Sequence, residues 1–307
     1  MKFSNRKRVA ELTKLELLTR SIISLALIAI VTGGWAWWHF VHNDPKRVFW
    51  SAIDNAFQTN SYSRQTVQGE TAQSLNQKVY VNTSPRQLVY GTNEVIQTGQ
   101  DALYVVTDVA GDPTSDFVKY NLVNTSQKNA QGKPQDYSSI LGIWGTTASS
   151  TDSSITDGQL YNQSVLGVLP FANLRHADRK DMIKLIMDKQ VYNVDFSKTT
   201  RKIVSSRPVY TYDVTVGAES YITMLKKYAS LVGLTQLAQT NPADFKETSP
   251  LKFQFSIDVW TQQITKINYV NGSREEIYGS FGLRSFSDLP KNAIPVQELQ
   301  QRVQDLE

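Results

Sequence analysis

The run SIISLALIAIVTGGWAWWHF at residues 21–40 constrains this chain more than any other stretch. From Ile22 to Val41 the clearly polar residues are Ser24, Thr32 and His39. A helix needs about 20 mostly apolar residues to cross a bilayer core, whereas the apolar part of a cleaved secretion signal needs only about 7–15. Ile22 to Val31 alone has the length of a signal, and Thr32-Gly33-Gly34 offers small residues to a protease. Cleavage there would leave Trp-Ala-Trp-Trp-His-Phe-Val as a new N-terminus, with its rings in water. Uncut, the same rings form an interfacial belt, with Trp35, Trp37 and Trp38 near the outer headgroups. The expectation is an uncleaved transmembrane helix over 21–41, with a cleaved signal as the alternative.

Charge sets its orientation. The 307 residues hold 32 Lys and Arg against 28 Asp and Glu, a net of +4. Lys2, Arg6, Lys7, Arg8, Lys14 and Arg20, set against Glu11 and Glu16, account for all of that excess. The remainder is neutral, so it lacks the cationic footprint by which a nucleic-acid reader neutralises phosphates, and no nucleic-acid partner is expected. A basic flank ahead of an apolar helix stays inside the cell. Residues 1–20 are therefore expected in the cytoplasm, and the main domain outside it, at the cell surface or in a periplasm. The chain has no cysteine, which excludes disulfides, thiol chemistry and a lipid-modified cysteine anchor.

After the span, NDPKRVFWSAIDNAFQTNS reads as a helix capped by Asn43 or Asp44, with Pro45 opening it and Phe49, Ile53, Ala56 and Phe57 on one face. Short segments rich in Val, Tyr and Leu follow: QKVYVNT, RQLVYG, NEVIQTG, ALYVVTDV and FVKYNLV, separated by turn residues. A second set comprises QVYNVDF, RPVYTYDVTV, LKFQFSIDVW, QITKINYV and REEIYGSF. In LKFQFSIDV, Leu251, Phe253, Phe255, Ile257 and Val259 alternate with Lys252, Gln254, Ser256 and Asp258, which predicts a sheet with one buried and one wet face. Helices are predicted at 176–189 and 218–237. Residues 124–163 read as a polar insertion with one apolar island, and residues 291–307 as a short amphipathic helix.

This order of elements resembles the LolA/LppX-like lipoprotein-carrier superfamily over about residues 45–290. The resemblance is carried by VFWSAIDNAFQTNSYSRQTVQGE, VYTYDVTVGAESYITML and FQFSIDVWTQQITKINYVNGSREEIYGSFG. It implies an α+β fold, an antiparallel half-barrel wrapping helices around a cavity for an acyl chain or other lipid. An uncleaved anchor in place of a signal or a lipidated cysteine departs from that pattern, because a tethered chain cannot shuttle between membranes.

No GxSxG, HExxH, Walker or GxGxxG motif is present, and no catalytic residue, metal ligand or cofactor is assigned. His176 reads as a surface or capping residue, and the pairs Glu275-Glu276 and Asp178-Asp181 as solvated. Aromatic strand residues are the notable feature. Tyr104, Tyr120, Tyr210, Tyr212, Phe253 and Phe255, with Leu225 and Tyr228 of the 218–237 helix, are the candidates to line a ligand cavity. Ordinary core packing is the competing reading for each. Ile140, Leu141, Ile143 and Trp144 are the candidate flap, since four large apolar residues in a polar loop need a partner surface. The leading expectation is a membrane-tethered domain that binds or senses a lipid or lipoprotein acyl chain. The alternatives are a bitopic scaffold of a cell-envelope complex, which would have an envelope protein partner, and an envelope hydrolase.

Overall fold

The structure is a computed structural model. It describes residues 43–306 except 71, 101, 129–131, 149–157, 271 and 284–287, together with 29, 30 and 32. The expected span at 21–41, with Trp35, Trp37 and Trp38, otherwise lies outside the described residues. Among those described, no helix is long and apolar enough to cross a membrane. The chain divides into two compact units, Met1–Val48 and Phe49–Glu307.

Helix α1 (Pro45–Ala56) starts where its sequence places the start signal. The Asp44 carboxylate accepts the Arg47 N–H at 2.8 Å, which satisfies a donor that the first turn leaves open. A meander follows: β1 (Ser61–Glu70), β2 (Gln73–Asn82), β3 (Leu88–Gln97), β4 (Leu103–Asp112) and β5 (Ser115–Thr125), each antiparallel to the next. RQLVYG and NEVIQTG, expected as two strands, form the single strand β3. Gly91 and Thr92 stay extended because they pair with β2 on one side and β4 on the other.

The polar insertion builds structure. It contributes a 3-10 turn at Ser138–Ile140, the short strand β6 (Trp144–Thr146) and helix α2 (Gln159–Val165). Helix α3 (His176–Asp188) leads to β7 (Tyr192–Val194), β8 (Thr200–Val204) and β9 (Arg207–Val216). Helix α4 (Ala218–Val232) stops earlier than predicted, where Gly233 takes a left-handed φ of 80° that ends the helical ladder. Strands β10 (Leu251–Asp258), β11 (Gln263–Tyr269) and β12 (Arg274–Gly279) complete the antiparallel part. Strand β13 (Ala293–Pro295) and helix α5 (Val296–Gln304) follow.

All of this forms one 13-stranded sheet in the order β13-β6-β5-β4-β3-β2-β1-β12-β11-β10-β9-β7, with β8 paired to β9. The β13–β6 pair is parallel and the other described pairs are antiparallel. Helices pack on the face that carries Tyr62, Tyr212 and Phe255, called the inner face below. The architecture is thus the α+β arrangement that the resemblance implies, a dominant antiparallel sheet with helices against one face.

Candidate functional site

At the β9–β12 end the inner face is closed by rings. Phe49 of α1 lies with its centroid 5.3 Å from that of Tyr212 and 6.2 Å from that of Phe255, and its edge meets Tyr192. Four buried or half-buried tyrosines then tie down the last turn of α2 and the segment after it by their carbonyls. Tyr62 Oη donates to Ser164 O, Tyr221 to Gly167 O, Tyr192 to Val168 O and Tyr228 to Phe171 O, all at 2.6–2.8 Å. Each phenol thereby fills space and satisfies its one polar atom. Burial pushes all four hydroxyls above their ordinary value of 10.

Towards the middle the inner face turns polar. Cross-strand register puts Glu276, Thr66, Gln77, Asn93, Thr107 and Tyr120 side by side in one row across β12, β1, β2, β3, β4 and β5. Glu276 is fully buried, which corrects the expectation that Glu275-Glu276 is a solvated pair. The two face opposite ways, and only Glu275 reaches a surface partner, Lys266, at 2.6 Å. Glu276 accepts from Arg274, Tyr269 and Tyr278, while Arg64 faces it from β1. Burial opposes its charge. The Arg64 charge, the Tyr278 hydrogen bond and Arg274 outweigh burial and hold the carboxyl below its ordinary 4.5. Next in the row, Thr66 is only 4 % exposed and its hydroxyl has no partner. Gln77 donates to Asn93 at 2.9 Å. The spacing Arg274-x-Glu276-x-Tyr278, three residues on one strand face, is the signal that could have located this cluster.

Beyond the row the inner face is open. A hollow of about 600 Å³ is lined by Gln68, Gln73, Leu75, Val95 and Ser273. By register, Gln68, Leu75 and Val95 stand one step along the strands from Thr66, Gln77 and Asn93. A second hollow of about 260 Å³ lies over Gln77, Asn93 and Val109, with Leu160 and Gln163 of α2 and Val296 of α5 in its walls. A third, of about 340 Å³, shares Gln68 and Ser273 with the first and adds Lys252, Tyr269 and Arg274. The first and third adjoin as a trough with apolar floor at Leu75, Val95 and Phe253, and the second lies apart from them, over Val109 on the far side of the polar row.

The proposed lining residues divide between these regions. Tyr212, Phe255, Leu225 and Tyr228 are buried at the ring-packed end, with Tyr210 beside Tyr212, whereas Phe253 packs on Tyr269 and borders the third hollow. Tyr120 belongs to the polar row, where burial raises its hydroxyl. Tyr104 points to the outer face, its hydroxyl donating to Glu94 at 2.6 Å. The flap candidates also divide. Ile140 is buried with Tyr137 and Leu299, and Ile143 packs on that group together with Val118, Tyr120 and Val123 of β5. Leu141 is exposed, and Trp144 lies on the outer face under the Lys119 ammonium. His176 opens α3, with Nδ1 3.2 Å from the Arg179 guanidinium. Among the described residues no three His, Cys, Asp or Glu side chains converge as metal ligands.

No protein-family model matches the chain. No curated protein matches it significantly. Among solved structures it is similar to the crystal structure of LprF from Mycobacterium bovis, at 10 % identity and a TM-score of 0.42, covering 81 % of this chain and 97 % of that one.

Proposed function

We propose that this chain is a membrane-tethered, extracytoplasmic binding protein whose inner-face trough takes a lipid or another elongated amphiphile. Residues 21–41 are the tether, residues 1–20 stay in the cytoplasm, and the domain binds within reach of the membrane surface. The observation that carries the binding reading is the hollow of about 600 Å³ over Leu75 and Val95, on a sheet face that rings close elsewhere. Apolar floor left half-buried gains when an alkyl chain covers it, by about 0.8 kcal/mol for each methylene removed from water. The ring-packed end is already full at Tyr212, Phe255 and Tyr228, so the ligand lies over β2–β4 and not against helix α4.

A clickable diazirine fatty acid fed to cells that make the full chain tests this reading. Crosslinks to peptides containing Leu75 and Val95 are expected. Crosslinks confined to residues 21–41 would mean that the tether alone meets lipid. A second reading, a docking subunit of an envelope assembly, is favoured by one surface. Ile203 and Val204 on β8 and Trp260 after β10 are 67 %, 54 % and 51 % exposed.

A further inference from the structure

Among the described residues the sheet has three edge strands, β13, β7 and β8. Strands β13 and β7 are each three residues long, and β13 ends in Pro295, which has no N–H to offer. Strand β8 is five residues long, lacks proline and is exposed at every position, hence on both faces. Its turn, Ser205-Ser206, has φ of 49° and 66°, the left-handed pair of a two-residue hairpin, so Val204 and Arg207 form a hydrogen-bonded pair. Alternation then turns the N–H and C=O of Arg201 and Ile203 away from β9, towards the open edge. Pro208 fits this register: it stands opposite Ile203, where β9 needs no N–H, and its carbonyl accepts from Val259 on the far side.

Register also places the side chains. Arg201 and Ile203 stand opposite Tyr210 and Pro208 on the inner-face side, and Lys202 and Val204 opposite Val209 and Arg207 on the other. Each face of the edge thus carries one cation and one exposed apolar residue. Arg207 reaches Asp258 at 3.4 Å, whereas Arg201 and Lys202 form no ion pair among the described residues. The Val259–Pro208 bond brings the exposed Trp260 beside the same hairpin.

We propose that β8 is a docking edge for an extended acidic segment of a partner protein, which joins the sheet as a further strand. The inference goes beyond the lipid reading and rests on the docking reading above, which it deepens. Backbone pairing at Arg201 and Ile203 holds the segment, and carboxylates opposite Arg201 and Lys202 select it. In strand addition the main chain supplies affinity and alternate side chains supply specificity. Cations on an edge turn away neutral and basic strands, while unlike charges directly opposite stabilise a cross-strand pair. Two unpaired cations on one edge therefore admit acidic strands and refuse a second copy of β8.

The test is hydrogen–deuterium exchange on the full chain in phosphatidylcholine nanodiscs, with two hexapeptides at millimolar concentration as probes. Both place valines opposite Ile203 and Val204; one places glutamates opposite Arg201 and Lys202, the other lysines. The glutamate peptide is expected to slow exchange across Thr200–Val204 about tenfold, and the lysine peptide to leave it unchanged. Ile203→Pro removes an N–H that faces the open edge and not β9, so it should abolish the protection with the fold intact. Ile203→Ala keeps that N–H and should weaken the protection less. The double variant R201E/K202E should invert the preference between the peptides. Equal protection by both peptides, or protection that survives Ile203→Pro, overturns strand addition. Protection confined to the segment around Trp260 also overturns it and leaves the docking reading standing. No protection at β8 or around Trp260 by either peptide overturns both.

Discussion

Around Phe255 the inner face of the sheet is sealed by the rings of Phe49, Tyr192 and Tyr212; around Leu75 and Val95 it borders a hollow. Both regions belong to one continuous sheet with the same strand alternation. The difference lies in what the connections deliver. The β9–β12 strands receive α1 and the tyrosine-tied segment after α2, while α2 and α5 border the β2–β5 strands and leave part of them uncovered. The part of the sheet face that stays uncovered is where the proposed ligand would take the place of a helix.

The sharpest way to break this comparison is to remove a ring at the closed end or the buried charge that starts the polar row beside it. Phe255→Ala should cost about 3–5 kcal/mol in denaturant unfolding, as for other buried aromatic residues. Glu276→Ala should cost about the same, because it strands Arg274 and Arg64 without their carboxylate. A loss under about 1 kcal/mol for either would mean that the closed end is as loosely packed as the open one.

Acid and alkali probe the same contrast. The Glu276 carboxyl is held below its ordinary 4.5, so its contribution to stability is complete above that pH and is lost as pH falls through the lower folded value. The Glu276→Gln variant should show a flatter acid limb. Tyr228 and Tyr278 are raised well above 10 by burial, so stability is complete below pH 10 and declines above it. Phenolate absorbance should show Tyr120, in the polar row, ionising before these two.

Leu75→Ala should lower stability by about 1 kcal/mol or less, since Leu75 is only half-buried, yet weaken binding of a long-chain ligand measurably. An unfolding cost near that of Phe255→Ala would show the floor to be core. The smallest effect belongs to Thr66→Val. Replacing a buried, unpartnered hydroxyl with a methyl should leave stability within about 1 kcal/mol or raise it, as denaturant midpoints would record.

Much of the closed end was legible. Alternation in LKFQFSIDV placed Phe253, Phe255, Ile257 and Val259 inside, and all four are buried. It failed at both ends of that run. Leu251 is 53 % exposed, and Asp258, expected in water, is buried, because it accepts the N–H groups of Trp260 and Thr261 and the Arg207 guanidinium. The open end was illegible for a physical reason. Strand β1, SYSRQTVQGE, shows no apolar alternation, since Arg64, Thr66 and Gln68 point inward and Ser63, Gln65 and Val67 outward. A polar row across six strands exists only once register is set, and register is a tertiary property. The insertion misled through composition: its polar residues surround a short strand, paired between β13 and β5, and a helix.

Strand β1 joins the meander on one side and β12 on the other. The meander is built from neighbours in sequence, so it can zip up early, whereas β12 reaches β1 only after α2, α3 and α4 have been made. During that interval β1 presents a bare row of peptide N–H and C=O groups, the kind of edge on which nascent chains aggregate. Its inward Arg64 and outward Gln65 make it a poor template for a stranger, so the polarity that breaks the apolar face also guards the unfinished sheet.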